Sequence, residues 1–186
     1  MSNPSNIGIV VGSIRKDSIT RRLAQAMTKL SPGGASYRFV EIGALPLYNP
    51  DLDEATPAAW AAFRDEVRSL DGVLFATPEH NRSIPAALKN AIDVGSRPYG
   101  KSAWSGKAAG IVSVSPGALG AFGANHHLRQ SLVFLNMPTM AQPEAYVGNA
   151  ANLVGADGQI AEASRGFFKG YVEAFEAWVK RHASAK

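Results

Sequence analysis

Residues 6–20 read Asn6-Ile7-Gly8-Ile9-Val10-Val11-Gly12-Ser13-Ile14-Arg15-Lys16-Asp17-Ser18-Ile19-Thr20. The run up to Val11 is short, apolar and rich in β-branched residues, and Gly12 closes it, as expected of a strand buried on both faces. From Ser18 the period changes: Ile19, Leu23, Ala26, Met27 and Leu30 recur at helical spacing until Ser31-Pro32-Gly33-Gly34 stops them. A buried strand that passes through a short polar loop into an amphipathic helix is the repeating unit of a parallel α/β sheet.

The rest of the chain repeats that alternation. Tyr37–Ile42 reads as strand 2, Leu45–Asp51 as a proline-rich loop, and Trp60, Phe63, Val67 and Leu70 as the apolar face of helix 2. Val73–Thr77 is a third strand, and Ser83 is expected to cap a helix carrying Pro85 in its first turn and Leu88, Ala91 and Ile92 on its buried face. Lys107–Ser115 is strand 4. Phe122–Leu135 is a helix leading to a short strand expected near Met137–Met140. A last helix from about Glu162 presents Phe167, Phe168, Tyr171, Val172, Phe175, Trp178 and Val179 to the sheet. The expected architecture is one domain, residues 1–186, with a five-stranded parallel sheet wound in both directions and helices on both faces.

Composition narrows the chemistry. With 186 residues, 46% hydrophobic and 18% charged, the chain can bury a core without staples. It contains no cysteine, which excludes thiol catalysis, thiolate metal sites and disulfides, so redox chemistry requires a bound cofactor. The formal charge of +4 comes from dispersed Lys and Arg without aromatic interleaving, a pattern that suits anionic small ligands and argues against nucleic acid. No segment has the length of a membrane span and the first residues lack a signal pattern, so a cytoplasmic protein is expected.

In an open parallel sheet, ligands bind beyond the carboxyl ends of the strands, which directs attention to the loops after strands 1, 3 and 4. The first, Gly12–Thr20, offers a helix N-terminus, the hydroxyls of Ser13, Ser18 and Thr20, and the charge of Arg15. It has neither the Gly-x-Gly-x-x-Gly fingerprint nor a Walker lysine, so a monophosphate held by side chains fits better than a di- or triphosphate. An ordinary capped turn fits the same residues. The second, Thr77-Pro78-Glu79-His80-Asn81-Arg82-Ser83-Ile84-Pro85, is conformationally restricted and polar, a surface for a flat heterocycle. Glu79 and His80 are adjacent and therefore diverge, which argues against an acid–base dyad. The third, Ser113–Gly120, exposes backbone with little side-chain bulk around Ser115 and Gly117, equally suited to a flat ligand or to a plain turn. His126-His127 lacks a third ligand at metal-binding spacing, so these two are expected on the surface or in packing.

Taken together these segments resemble the NADPH-dependent FMN reductase family, whose members include quinone and chromate reductases and have the flavodoxin-like fold. The family's Gly-Ser-x-Arg-x-x-Ser loop is matched by Gly12, Ser13, Arg15 and Ser18, with Thr20 in place of an asparagine. Its Pro-Glu-Tyr-Asn-x-Ser-x-Pro segment appears as Pro78 to Pro85 with His80 for the tyrosine, followed by Leu88-Lys89-Asn90-Ala91-Ile92-Asp93. His127-Leu128-Arg129-Gln130 matches a further segment, while Gly123 and His126 stand where relatives often carry Arg and Tyr. The resemblance implies that Gly12, Ser13, Arg15, Ser18, Ile19 and Thr20 hold the FMN phosphate. It also implies that Pro78, Glu79, His80 and Asn81 run beside the isoalloxazine, and that Ser115 and Gly117 close its other edge. It further implies NADPH or NADH as hydride donor, a quinone or other small molecule such as chromate, an azo compound or free flavin as acceptor, no catalytic side chain, no metal, and a homodimer or homotetramer. Two alternatives stand beside this reading: a flavin-binding electron carrier or regulatory module without NAD(P)H turnover, and an enzyme for which FMN is a diffusing substrate.

Overall fold

A computed structural model describes residues 4–183. Five strands, β1 (Ser5–Val11), β2 (Ala35–Val40), β3 (Gly72–Thr77), β4 (Ala108–Val114) and β5 (Ala145–Val147), form one parallel sheet in the order β2-β1-β3-β4-β5. The helices are α1 (Ile19–Thr28), α2 (Ala58–Arg68), α3 (Ala86–Gly95), α4 (Phe122–Phe134) and α5 (Glu162–Ala183). This is the doubly wound, flavodoxin-like order.

Alternation along the strands divides the core in two. Ile7, Ile9, Val11, Leu74, Ala76, Val112 and Val114 pack on α1 and α5, whose Leu23, Met27, Phe168, Tyr171, Val172 and Phe175 are buried. Val10, Val73, Phe75, Ala109 and Ile111 face the other way, onto Trp60, Phe63 and Val67 of α2, Leu88 and Ile92 of α3, and Leu128 and Leu132 of α4. Each Val, Leu, Ile, Phe or Met among them contributes about 1.5–3 kcal/mol by leaving water, which is why the strands need no polar face. Gly110 is required by this packing: a Cβ there would lie 2.7 Å from the Phe175 ring. The Tyr171 hydroxyl, fully buried, donates to the Ile111 carbonyl at 2.9 Å and locks α5 to β4.

Two expectations are corrected. The fifth strand is Ala145–Val147, not Met137–Met140. Met137 and Met140 are buried as their apolarity requires, but Pro138 has no N–H for a ladder, and the segment makes only an isolated bridge at Thr139. Ser83 does not cap α3. That helix begins after Pro85 with no side-chain cap, because Ser83 is engaged in a turn with His80. The final helix keeps its predicted stripe, although Phe167 lies half-exposed at its margin.

The sheet order places the site. After β1 the chain crosses to β2 on one side and then returns to β3 on the other, so the loops at the carboxyl ends of β1 and β3 part and leave a crevice.

Candidate active site

The loop after β1 begins with the Gly12 amide bonded to the Ala76 carbonyl at 2.8 Å, which ties it to β3. Gly12 has little room for a side chain: a Cβ would sit 3.0 Å from Thr77 Oγ1 and 3.2 Å from Leu88. Ser18 is the N-cap of α1 and its hydroxyl oxygen accepts the Arg21 amide at 3.1 Å. The capped turn is therefore real, yet it uses only one acceptor of Ser18. The hydroxyl hydrogen remains to be donated, and the amides of Ile19 and Thr20, in the first turn, have no partner within the helix. Ser18 and Thr20 are buried, whereas Arg15 is exposed and forms no hydrogen bond or ion pair with a described residue. Its neighbour Arg21 is committed, paired with Glu41 and lying 4.5 Å over the Phe39 ring. A cavity of about 140 Å³ lies between Ser13, Ile14, Arg15 and the end of β2. The arrangement has an uncommitted cation, first-turn amides and hydroxyls at a positive helix end, a donor set for an anion.

The loop after β3 folds into a two-residue hairpin. The amide of His80 donates to the Ser83 carbonyl and that of Ser83 to the His80 carbonyl, both at 2.9 Å. Asn81 and Arg82 at its tip both have positive φ, +51° and +66°. Asn tolerates the left-handed region, but for Arg it costs on the order of 1 kcal/mol or more, so surrounding contacts must hold the turn.

Those contacts come from α4. Glu79 aims its carboxylate away from His80 and accepts the Ala124 amide at 3.1 Å in the first turn of α4. Its other oxygen lies 3.4 Å from Arg82 Nη1. Ser83 Oγ meets His127 Nδ1 at 3.0 Å. Gly123 permits the approach, since a Cβ there would fall 2.8 Å from the Arg82 carbonyl oxygen. The partners of Glu79 are thus Ala124 and Arg82, and His80 is exposed to solvent.

The loop after β4 is held from below. Ser113 Oγ donates to the Gly120 carbonyl at 2.7 Å and accepts Asn125 Nδ2 of α4 at 3.2 Å, all in the interior. Ser115 Oγ accepts the Gly117 amide at 3.0 Å, and Asn149 donates its amide to the Gly117 carbonyl. Residues 116–119 are exposed, with Leu119 and, across the crevice, Ile14 offering apolar surface to solvent.

Asn125 continues a polar chain that the sequence reading missed. Its Oδ1 accepts Arg129 Nε at 3.0 Å, and Arg129 reaches the Met140 carbonyl and, at 3.9 Å, Glu144. Tyr146 donates to Glu144, and His126 Nε2 lies 3.1 Å from the Tyr146 hydroxyl. Partial burial and then that bond to Glu144 push the Tyr146 hydroxyl up to about 12. The His127-Leu128-Arg129-Gln130 segment was the available signal, but only the fold shows that its neighbours reach both loops. His126 and His127 diverge as expected, one toward β5 and one toward Ser83, and among the described residues no group of metal-binding side chains forms.

A larger cavity, about 690 Å³, lies at the opposite end of the sheet beside Asp71, Glu173 and Glu176. It lies at the amino ends of the strands, and its carboxylates disfavour an anion.

Fold and site define a flavodoxin-like α/β protein with a cluster of hydrogen-bond donors at the switch point and two backbone-rich loops beside it. The chain belongs to the NADPH-dependent FMN reductase family, whose model matches residues 5–152. It is 57% identical over 181 residues to a quinone reductase of Pseudomonas putida, covering 97% of each chain. It is 42% identical to a 2-hydroxy-1,4-benzoquinone reductase of a Burkholderia species, covering 94% of this chain and 96% of that one. The structure of FerB from Paracoccus denitrificans, a flavoenzyme NAD(P)H:(acceptor) oxidoreductase, superposes with a TM-score of 0.91 at 38% identity, over 96% of this chain and 98% of that one. The protein is thus an FMN-dependent NAD(P)H oxidoreductase. No helix among the described residues is long and apolar enough to cross a membrane.

Proposed function

We propose that this oxidoreductase reduces quinones, with FMN held across the three loops. One observation carries the placement: at the switch point Arg15 stands unpaired beside the open first turn of α1, while Arg21, which lines the same cavity, is neutralised by Glu41. That donor set fits a single phosphate, and the loop lacks the glycine-rich fingerprint that a pyrophosphate needs. FMN, when bound, supplies the chemistry by taking hydride from NAD(P)H and delivering it to the acceptor.

The residues bind and orient. Ser13, Ser18, Ile19 and Thr20 donate to the phosphate around Gly12, and Arg15 adds charge-assisted hydrogen bonds. The turn Pro78–Asn81, His80 included, forms one wall for the flat ring, and the backbone from Ser115 to Gly117 forms the other. Glu79 serves that wall through α4. No side chain is required to form a covalent bond. The chain operates as one domain, in the cytoplasm where NAD(P)H is plentiful, and self-associates as a dimer or tetramer. The exposed Tyr99, Val133 and Phe134, apolar side chains around the outer end of α4, support that assembly.

The test is an anaerobic visible spectrum of the purified protein before and after NADPH, with a quinone added last. Retained flavin that bleaches with NADPH and recovers with quinone supports the reading. A retained flavin that NADPH leaves unbleached would make the protein an electron carrier, and flavin lost on gel filtration would make FMN a substrate.

A further inference from the structure

We infer that His127, which faces Ser83 and not the flavin crevice, is a positioning residue for FMN. This rests on the placement of FMN proposed above. The hairpin 80–83 is a wall of that site, yet its tip is in a conformation that Arg82 does not favour, so the turn depends on outside support. Beyond the bonds the turn makes within itself, support comes from the start of α4: the Ala124 amide on Glu79, the close approach over Gly123, and His127 on Ser83. Helix α4 is itself anchored independently, by Leu128 and Leu132 in the core and by Asn125 on Ser113. It therefore acts as a fixed strut against which the turn is braced.

His127 is the member of this brace whose removal leaves the helix intact. It is exposed, and the one hydrogen bond of its side chain to a described residue is to Ser83 Oγ. Ser83 lies at the base of the hairpin, paired through both backbone groups with His80. Losing the His127 contact thus releases the end of the wall without opening the core. Because the contact is made by Nδ1, a side chain that places a hydrogen-bonding group near that position retains it. Asparagine does so with its amide, whereas glutamine reaches instead toward the position of Nε2.

The experiment compares His127→Ala, His127→Gln and His127→Asn with the parent protein, measuring the FMN dissociation constant by fluorescence quenching, the visible spectrum of bound flavin, and the melting temperature without flavin. His127→Ala and His127→Gln are expected to weaken FMN about five- to tenfold, the loss of one hydrogen bond, and to shift the flavin band. The melting temperature without flavin falls by no more than roughly 2–4 °C, and His127→Asn stays within about twofold of the parent. Ser83→Ala approaches the contact from the other side, and combining it with His127→Ala is expected to weaken FMN no further than either alone. Unchanged affinity and spectrum in His127→Ala would overturn the inference, as would a His127→Asn protein as impaired as His127→Ala. If the parent itself takes up no FMN, the placement of FMN fails instead, which is a distinct result.

Discussion

Tyr146 donates its only hydroxyl hydrogen to Glu144 at 2.6 Å, so it can meet His126 Nε2, 3.1 Å away, only as an acceptor. Neutral His126 must then carry its hydrogen on Nε2, with Nδ1 left to accept. A long-range proton–nitrogen spectrum of the imidazole should show that tautomer and should lose the preference in Tyr146→Phe. Observation of the Nδ1–H tautomer in the parent would reverse the direction of the chain from Glu144 to α4.

Arg15 is a free cation lining the cavity of the β1 loop, so Arg15→Ala should weaken FMN by about ten- to a hundredfold, the range for a charge-assisted hydrogen bond, with the melting temperature of the flavin-free protein unaltered. A flavin titration checks this. An unchanged dissociation constant would mean that the phosphate is held by hydroxyls and amides alone.

Gly110→Ala should destabilise the fold by about 1–3 kcal/mol, because β4 and α5 are already in contact and the added carbon has to displace the Phe175 ring. Chemical denaturation measures it. A neutral result would show that Phe175 has an alternative rotamer available.

Alkaline pH should unfold the protein through its tyrosines. Burial first, and for Tyr37 also the neighbouring Glu176 carboxylate, raises the hydroxyls of Tyr37 and Tyr171 well above the ordinary value near 10. Between that value and the folded one, the unfolded chain has lost protons that the folded chain retains, so stability is complete below about pH 10 and falls as pH rises further. Tyr37→Phe should flatten that decline. The check is the melting temperature from pH 9 to 11.5, together with tyrosinate absorbance, part of which should appear only on unfolding.

Much of this was legible in the sequence, for physical reasons that differ from place to place. Strands β1, β3 and β4 are buried on both faces along most of their length and therefore announce themselves as largely apolar runs. The short β5 is only three residues, Ala145-Tyr146-Val147, and the more apolar segment around Pro138 drew the assignment instead. The expected role of Ser83 failed because a local rule, a serine ahead of a helix, met a backbone turn that pairs Ser83 with His80 and delays the helix until after Pro85. The carboxylate of Glu79 could be placed on the correct loop but not given its direction, since nothing local reveals that the first turn of α4 arrives beside it.

The left-handed residue at the hairpin tip also bears on engineering. Arg82→Gly would relieve the backbone at φ +66° and is a natural gain in any screen for heat resistance. On the proposed placement of FMN, the same exchange would slacken the turn that walls the flavin. Selection for thermal tolerance alone would thus favour a protein that survives heating and sheds its cofactor, and variants at position 82 are best ranked by both traits together.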